Sequence, residues 1–220
     1  MIKSWTERIL FSIVFLLIVI GVVLSRVNLP FFESFYVRED GFIEWLTIVS
    51  LLSGVFLCFY RTFKLKSQRS FIFLLGMVLM GLVFVFGAGE EISWGQRIFN
   101  IESPEFFVNH NAQGEINIHN LIFDGRKINK IIFGTLLGVC IGAYFLILPI
   151  LYRKIDRIEH LVNRFAIPIP RVFHIISYVI LIILISIMDS SRKGELLEFG
   201  GCWIFLLMIF NPYNRKIFKE

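Results

Sequence analysis

The chain has 220 residues, 56% of them hydrophobic, with a mean hydropathy of +0.75 and a net charge of +5. The apolar residues, 25 Phe among them, fall in long blocks. That excludes an ordinary soluble domain and points to an all-α, polytopic transmembrane helical bundle with membrane lipids as its surroundings. The basic residues flank apolar runs and form no single patch, so no nucleic acid partner is expected.

Six apolar segments can be drawn, at about 9–25, 42–60, 71–88, 131–151, 172–188 and 196–210, within a single membrane domain covering 1–220. The last carries the weakest signal. The first follows a short basic stretch as a signal peptide would. No small-x-small cleavage site follows Leu24, so it is expected to be retained. Cys58, Cys140 and Cys202 all lie inside apolar runs, without CxxC or Cys/His zinc spacing, and are expected to be small core residues.

The connections set an orientation. Lys3 and Arg8, then Arg61 to Arg69, then Arg153 to Arg171, then Arg215 to Lys219 place 14 of the 22 basic residues on one side. The positive-inside rule makes that side, and both termini, cytoplasmic, in a multi-pass protein of the cell's inner (plasma) membrane. The polar connection 89–130 is then extracytoplasmic, as are most of the acids. Glu44 and Glu198 begin spans near the same outer surface, and Asp189 and Glu198 are available as supporting acids. The stretch 153–171 alternates apolar and basic residues at helical spacing until Pro168 and Pro170, and reads as an interfacial anchor. His160 and His174 lie far from the outer cluster and read as structural.

The most informative stretch is Gly89-Glu90-Glu91-Ile92-Ser93-Trp94-Gly95-Gln96-Arg97. Adjacent carboxylates at the end of a span are costly, and intramembrane acids mark function by default. Continued as a helix, Glu90, Ser93 and Arg97 share one face, with Trp94 close by, so Glu90 and Arg97 are placed to pair. In the structural alternative this pair closes the span and Trp94 anchors it at the interface. Next, Ser103, Pro104 and Glu105 read as a helix start, with Ser103 as cap.

The run 109–120 then gathers His110, Glu115, Asn117, His119 and Asn120. As a strand it puts Glu115, Asn117 and His119 on one face. As a helix it stacks Glu115 and His119 at i, i+4. Either way a carboxylate meets an imidazole, which suits proton transfer or a divalent metal. The bland alternative is a hydrated loop whose amides make turns. In the fourth segment Gly134, Gly138 and Gly142 repeat every four residues, a smooth strip expected to pack within the bundle.

The motif pair at 89–97 and 111–120 resembles a group of uncharacterised bacterial polytopic membrane proteins, over about residues 87 to 121. A looser resemblance is to CAAX-type intramembrane proteases, whose motifs are Glu-Glu-x-x-x-Arg, Phe-x-x-x-His and His-x-x-x-Asn. Glu90 and Glu91 match the acid pair, and Arg97 comes two positions late. Phe106 to His110 matches the second motif, and Phe123 stands where the last Asn belongs. That resemblance implies water activated by glutamate, with His110 and His119 assisting. A likeness to ceramidase-type membrane amidases rests on Ser93, His110 and His119 without matching spacing.

The expectation is therefore an outward-facing polar site of a membrane-embedded hydrolase or transferase acting on a lipid or lipid-linked substrate. Glu90, Glu91, His119 and Arg97 would be catalytic. Ser93, Trp94, Gln96, Asn117 and Asn120 would bind substrate, and Glu91, Glu115, His110 and His119 would hold a divalent metal. The alternatives are a carrier for a cation or small solute, and an accessory membrane subunit.

Overall fold

The structure is a computed structural model describing residues 5–118, 120–123, 126–127 and 136–219. The regular structure of the described residues is helical apart from a ladder of two-residue strands, β1 (Ile122–Phe123) and β2 (Arg126–Lys127). Four helical runs are long and apolar enough to cross a membrane. They are α1 (Trp5–Val27), α3 (Phe42–Leu65), α4 (Phe71–Glu91) and the run Leu137–Lys154. A short α2 (Leu29–Phe31) and a π-helical turn (Phe32–Tyr36) follow α1. The run Leu137–Lys154 is built from α7 (Leu137–Gly142), a π-helical turn (Ala143–Ile147) and α8 (Leu148–Lys154). Pro149 explains that turn, because its ring and missing N–H disturb the preceding helical bonds and the wider turn absorbs the misfit. Beyond α9 (Asp156–Arg164) come α10 (Val172–Ser186) and α11 (Lys193–Phe210).

The outward face of these helices is apolar. Phe56, Phe63, Leu79, Val83, Ile180 and Ile183 all stand exposed. A soluble monomer does not display such continuous apolar bands. Together with the length of the helices they define a membrane protein.

The core is organised around α11, the segment whose apolar signal is weakest. Leu196, Phe199 and Ile204 of α11 pack with Phe11, Val14 and Ile18 of α1 and with Leu181 and Ile185 of α10. Met208 and Ile209 of α11 join Leu51 and Cys58 of α3 and Met77 and Phe84 of α4. The Trp203 indole donates to the Leu46 carbonyl at 3.1 Å, fastening α11 to α3. The charges of α11 (Lys193, Glu195 and Glu198) all lie in its first two turns, which leaves the rest free for burial.

Polar contacts sort to the two ends of the bundle. At one end the buried Glu7 carboxylate accepts from Asn211 Nδ2 at 2.7 Å and lies 3.5 Å from His174 Nε2. This joins the start of α1, the start of α10 and the end of α11, and sets His174 at the end of the bundle where α1 begins. At the same end Asn214 ties the extended segment after α9 to the chain's final turn through Asn163, Ile167 and Ile169. At the other end Arg26, in the last turn of α1, pairs with Asp189 at 2.6 Å. α10 and α11 therefore run the same end-to-end course as α1.

Two expectations are corrected here. Gly138 and Gly142 have nothing within 4 Å of the position a Cβ would take, so these two pack closely on nothing among the described residues; Gly134 lies outside them. Cys140 on the same helix is exposed, while Cys58 is buried and Cys202 partly so.

Candidate functional site

The site lies at the end of the bundle where α4 stops. The expected continuous helix 90–98 does not form. α4 ends at Glu91, and a 3-10 turn (Ser93–Gly95) reverses the chain before α5 (Gln96–Phe99). Ser93, Trp94 and Gly95 all have positive φ, at 47°, 54° and 82°. Only Gly95 adopts such a backbone without strain. The reversal folds Trp94 back over Gly89, where a Cβ would stand 2.9 Å from the indole. Trp94 Nε1 donates to Glu90 Oε1 at 2.8 Å. The backbone N–H of Ile118 donates to Glu90 Oε2 at 2.7 Å. Glu90 thus clamps the second motif onto the first and does not pair with Arg97 as the helical register had suggested.

Arg97 instead reaches three other carboxylates. Its Nη2 donates to Glu44 Oε1 at 2.8 Å, its Nη1 to Glu115 Oε1 at 3.3 Å, and its Nε lies 3.2 Å from Asp40 Oδ1. Nη2 also donates to the Glu91 carbonyl at 3.0 Å, capping the end of α4. Partial burial works against the charged guanidinium. The carboxylates of Glu115, Glu44 and Asp40 outweigh it and hold the Arg97 pKa above its ordinary value. Asp40 was not anticipated as a partner. Its only sequence signal was an acid just before the start of α3, on the side that also holds Arg97.

The 109–118 run forms a closed cap. Ser93 Oγ donates to Glu115 Oε2 at 2.5 Å, and Asn117 Nδ2 donates to both Ser93 Oγ and Glu115 Oε2 at 3.0 and 3.1 Å. Asn111 Nδ2 donates to the Asn117 carbonyl and to Asn117 Oδ1. Gln96 Nε2 donates to Ser103 Oγ, and Gln96 Oε1 accepts from the Ile116 N–H at 2.7 Å. Ser103 in turn donates to the Gly114 carbonyl, so it belongs to the cap. The helix it was expected to start, α6 (Glu105–His110), has Pro104 at its cap position. Asn120 Nδ2 donates to Gln113 Oε1 at 2.6 Å, and Gln113 Nε2 donates to Glu39 Oε1 at 2.8 Å.

These bonds answer one question directly: the two motifs are one structural unit. They also sort the expected residues. Ser93 and Asn117 are each 1% exposed and Glu90 is 5% exposed, with their polar atoms engaged inside the cap. His110 is exposed, its ring stacked 4.8 Å from that of Phe106 and its Nδ1 2.9 Å from the Phe106 carbonyl. Among the described residues no three His, Cys, Asp or Glu side chains converge as a metal ligand set, so Glu91, Glu115 and His110 do not assemble one between them. His119, expected as both a catalytic and a metal-binding residue, lies outside the described residues.

Glu91 stands apart from the cap. Its backbone carbonyl accepts from Arg97, while its carboxylate feels the charges of Glu198, Glu195 and Glu44. No hydrogen-bond donor meets that carboxylate among the described residues. Around the cap, Trp94, Ile98, Phe99, Ile101, Phe106 and Val108 are exposed. The site thus pairs an acidic interior with an apolar rim.

No family model, curated protein or solved structure matches the chain. Fold and site together define the class: a helical membrane protein with a polar cap closed over one end of its bundle.

Proposed function

We propose that the protein is a six-segment integral protein of a bacterial inner membrane, both termini cytoplasmic, whose capped end faces outward and performs acid–base chemistry on a lipid or lipid-linked substrate, as a hydrolase or transferase. The observation that carries this reading is the Glu91 carboxylate, which has no hydrogen-bond donor among the described residues and lies within range of Glu44, Glu195 and Glu198. Arg97 divides its donors among Glu44, Glu115, Asp40 and the Glu91 carbonyl, and carboxylates brought together favour a shared proton. A carboxyl group that holds and releases a proton is what a general acid–base needs. The apolar rim of Trp94, Ile98 and Phe99 favours a substrate arriving from the bilayer over a small solute.

In this reading Glu91 moves the proton. Arg97 is a positioning residue, because its donors are committed to Glu44, Glu115 and the end of α4. Ser93, Gln96 and Asn117 hold the cap in shape.

The test is turnover by protein in nanodiscs made from a total bacterial lipid extract, with products followed by mass spectrometry. Glu91→Gln should lower turnover about 100-fold or more, the contribution of a positioned acid–base group, while the thermal melt stays at the wild-type value. Unchanged turnover in Glu91→Gln, or no product from the wild type, overturns the reading.

The second reading is cation binding by a carrier, favoured by the same grouping of carboxylates around Glu91. It predicts a cation held by the wild type and lost in Glu91→Gln, without lipid product.

A further inference from the structure

The cap is two-sided over residues 96–101. Gln96 turns inward to Ser103 and the Ile116 N–H, and Arg97 turns inward to Glu44 and Glu115. Ile98, Phe99 and Ile101 stand on the outside, and Phe99 is 74% exposed. These three side chains join no apolar cluster among the described residues. Polar groups inside and apolar groups outside reverse the order expected of a segment surrounded by water.

The place of this turn in the chain says what covers it. α4 is long and apolar enough to cross a bilayer and ends at Glu91, so the turn that follows lies at headgroup depth. The reversal at Ser93–Gly95 sends the chain back along the lipid side of α4. The Trp94 ring meets the Phe86 ring edge-on, 6.0 Å between centres. Phe86 is itself exposed on α4, as are Leu79 and Val83. The lipid-facing surface of α4 therefore continues through Trp94 onto the cap.

The backbone suits that setting. Unpaired N–H groups are costly where water is scarce, and the Asn100 and Ile101 N–H groups both donate to the Gln96 carbonyl. The depth is limited by the neighbours. Asn100 and Glu102 are exposed beside the apolar residues, and a carboxylate holds its place among the headgroups.

We infer that the turn 98–101 is seated in the bilayer, with Ile98, Phe99 and Ile101 immersed at the boundary between headgroups and acyl chains of the leaflet at the capped end. The inference rests on the membrane setting of the fold and not on proton transfer by Glu91, so either can fail without the other.

The test places a small fluorophore on single cysteines, Ile98→Cys, Ile101→Cys and, as the aqueous control, Ala112→Cys. The background lacks Cys58, Cys140 and Cys202, and the protein sits in nanodiscs of phosphatidylethanolamine and phosphatidylglycerol. Phe99 is kept in all three variants. Labels at 98 and 101 should be quenched by a lipid nitroxide near the carbonyl end of the acyl chain more than by one near its methyl end. Iodide should quench them at least about threefold less than the label at 112, as expected of a shallow interfacial position. Both positions must agree for the inference to stand. Iodide quenching equal to that at 112 would put the turn in water and overturn it. Protection from iodide and from both nitroxides would mean that protein, a second copy or another chain, covers the turn in place of lipid, and would overturn it too. Stronger quenching by the methyl-end nitroxide would place the turn in the membrane core and refute the shallow seat.

Discussion

Arg97 is where charge, cap and helix end meet. It holds Glu44, Glu115 and Asp40 together and closes the last turn of α4. Removing one partner from a partly buried ion network leaves the others without it, which costs more than the pairs contribute when intact. Arg97→Gln should therefore destabilise the protein by about 3 kcal/mol in a chemical or thermal melt. Arg97→Lys should recover only part of that, because an ammonium cannot reproduce the fork. A wild-type melt for Arg97→Gln would refute the network. Trp94 offers an independent check. Its indole donates to Glu90, so Trp94→Phe should cost about 2 kcal/mol by removing a hydrogen bond to a charged group. Here the sequence was only partly legible. It marked Glu90, Glu91 and Arg97 as unusual, but a straight helix put Glu90 and Arg97 on one face. The reversal depends on positive φ at Ser93 and Trp94, and neither residue type announces it. Gly95 alone carried a hint.

At the scale of elements, every apolar segment read from the sequence corresponds to a described helix, apart from 131–135, which lie outside the described residues. Long apolar blocks leave little else for the backbone to do, so the helices were easy to see. Their mutual packing was not. The glycines illustrate this, because a glycine alone does not say whether it meets a neighbour or lipid. A Cβ at Gly76 of α4 would stand 2.0 Å from the Phe165 carbonyl oxygen, just after α9. A Cβ at Gly138 of α7 would meet nothing within 4 Å. Gly76→Ala should therefore lower stability by about 1–3 kcal/mol, as overpacking against backbone does. Gly138→Ala should be neutral, or stabilising by up to about 1 kcal/mol through helix propensity. Thermal melts of the pair decide the matter, and a loss in Gly138→Ala equal to that in Gly76→Ala would contradict the packing. α11 carries the same lesson: three charges in its first two turns weaken its apolar signal, yet it is the element on which α1, α3 and α10 converge.

For the whole molecule the question is how many segments cross. α10 has 15 residues and α11 carries charge, so length and hydropathy alone mark only four spans. The proposed six draw support from the contacts. His174, in the first turn of α10, meets Glu7 at the start of α1, and Asp189, just beyond α10, meets Arg26 at the end of α1. α10 and the turn after it thus cover the same height as a 23-residue helix. α11 makes the return journey, from Glu195 and Glu198 near Glu91 to Asn211 against Glu7. Arg192 and Gln113 both approach Glu39, which puts the α10–α11 turn beside the cap. Single cysteines at Ala112, Ser191 and Ser67, in a background without Cys58, Cys140 and Cys202, test this in intact cells. An impermeant maleimide should label positions 112 and 191 before lysis and position 67 only after it. Labelling of 112 but not 191 would mean that α10 and α11 do not cross, and would leave four spans. Labelling of 67 alone would invert the molecule, placing the acid cluster on the cytoplasmic side, so the same three positions also decide which leaflet would supply a substrate to the capped end.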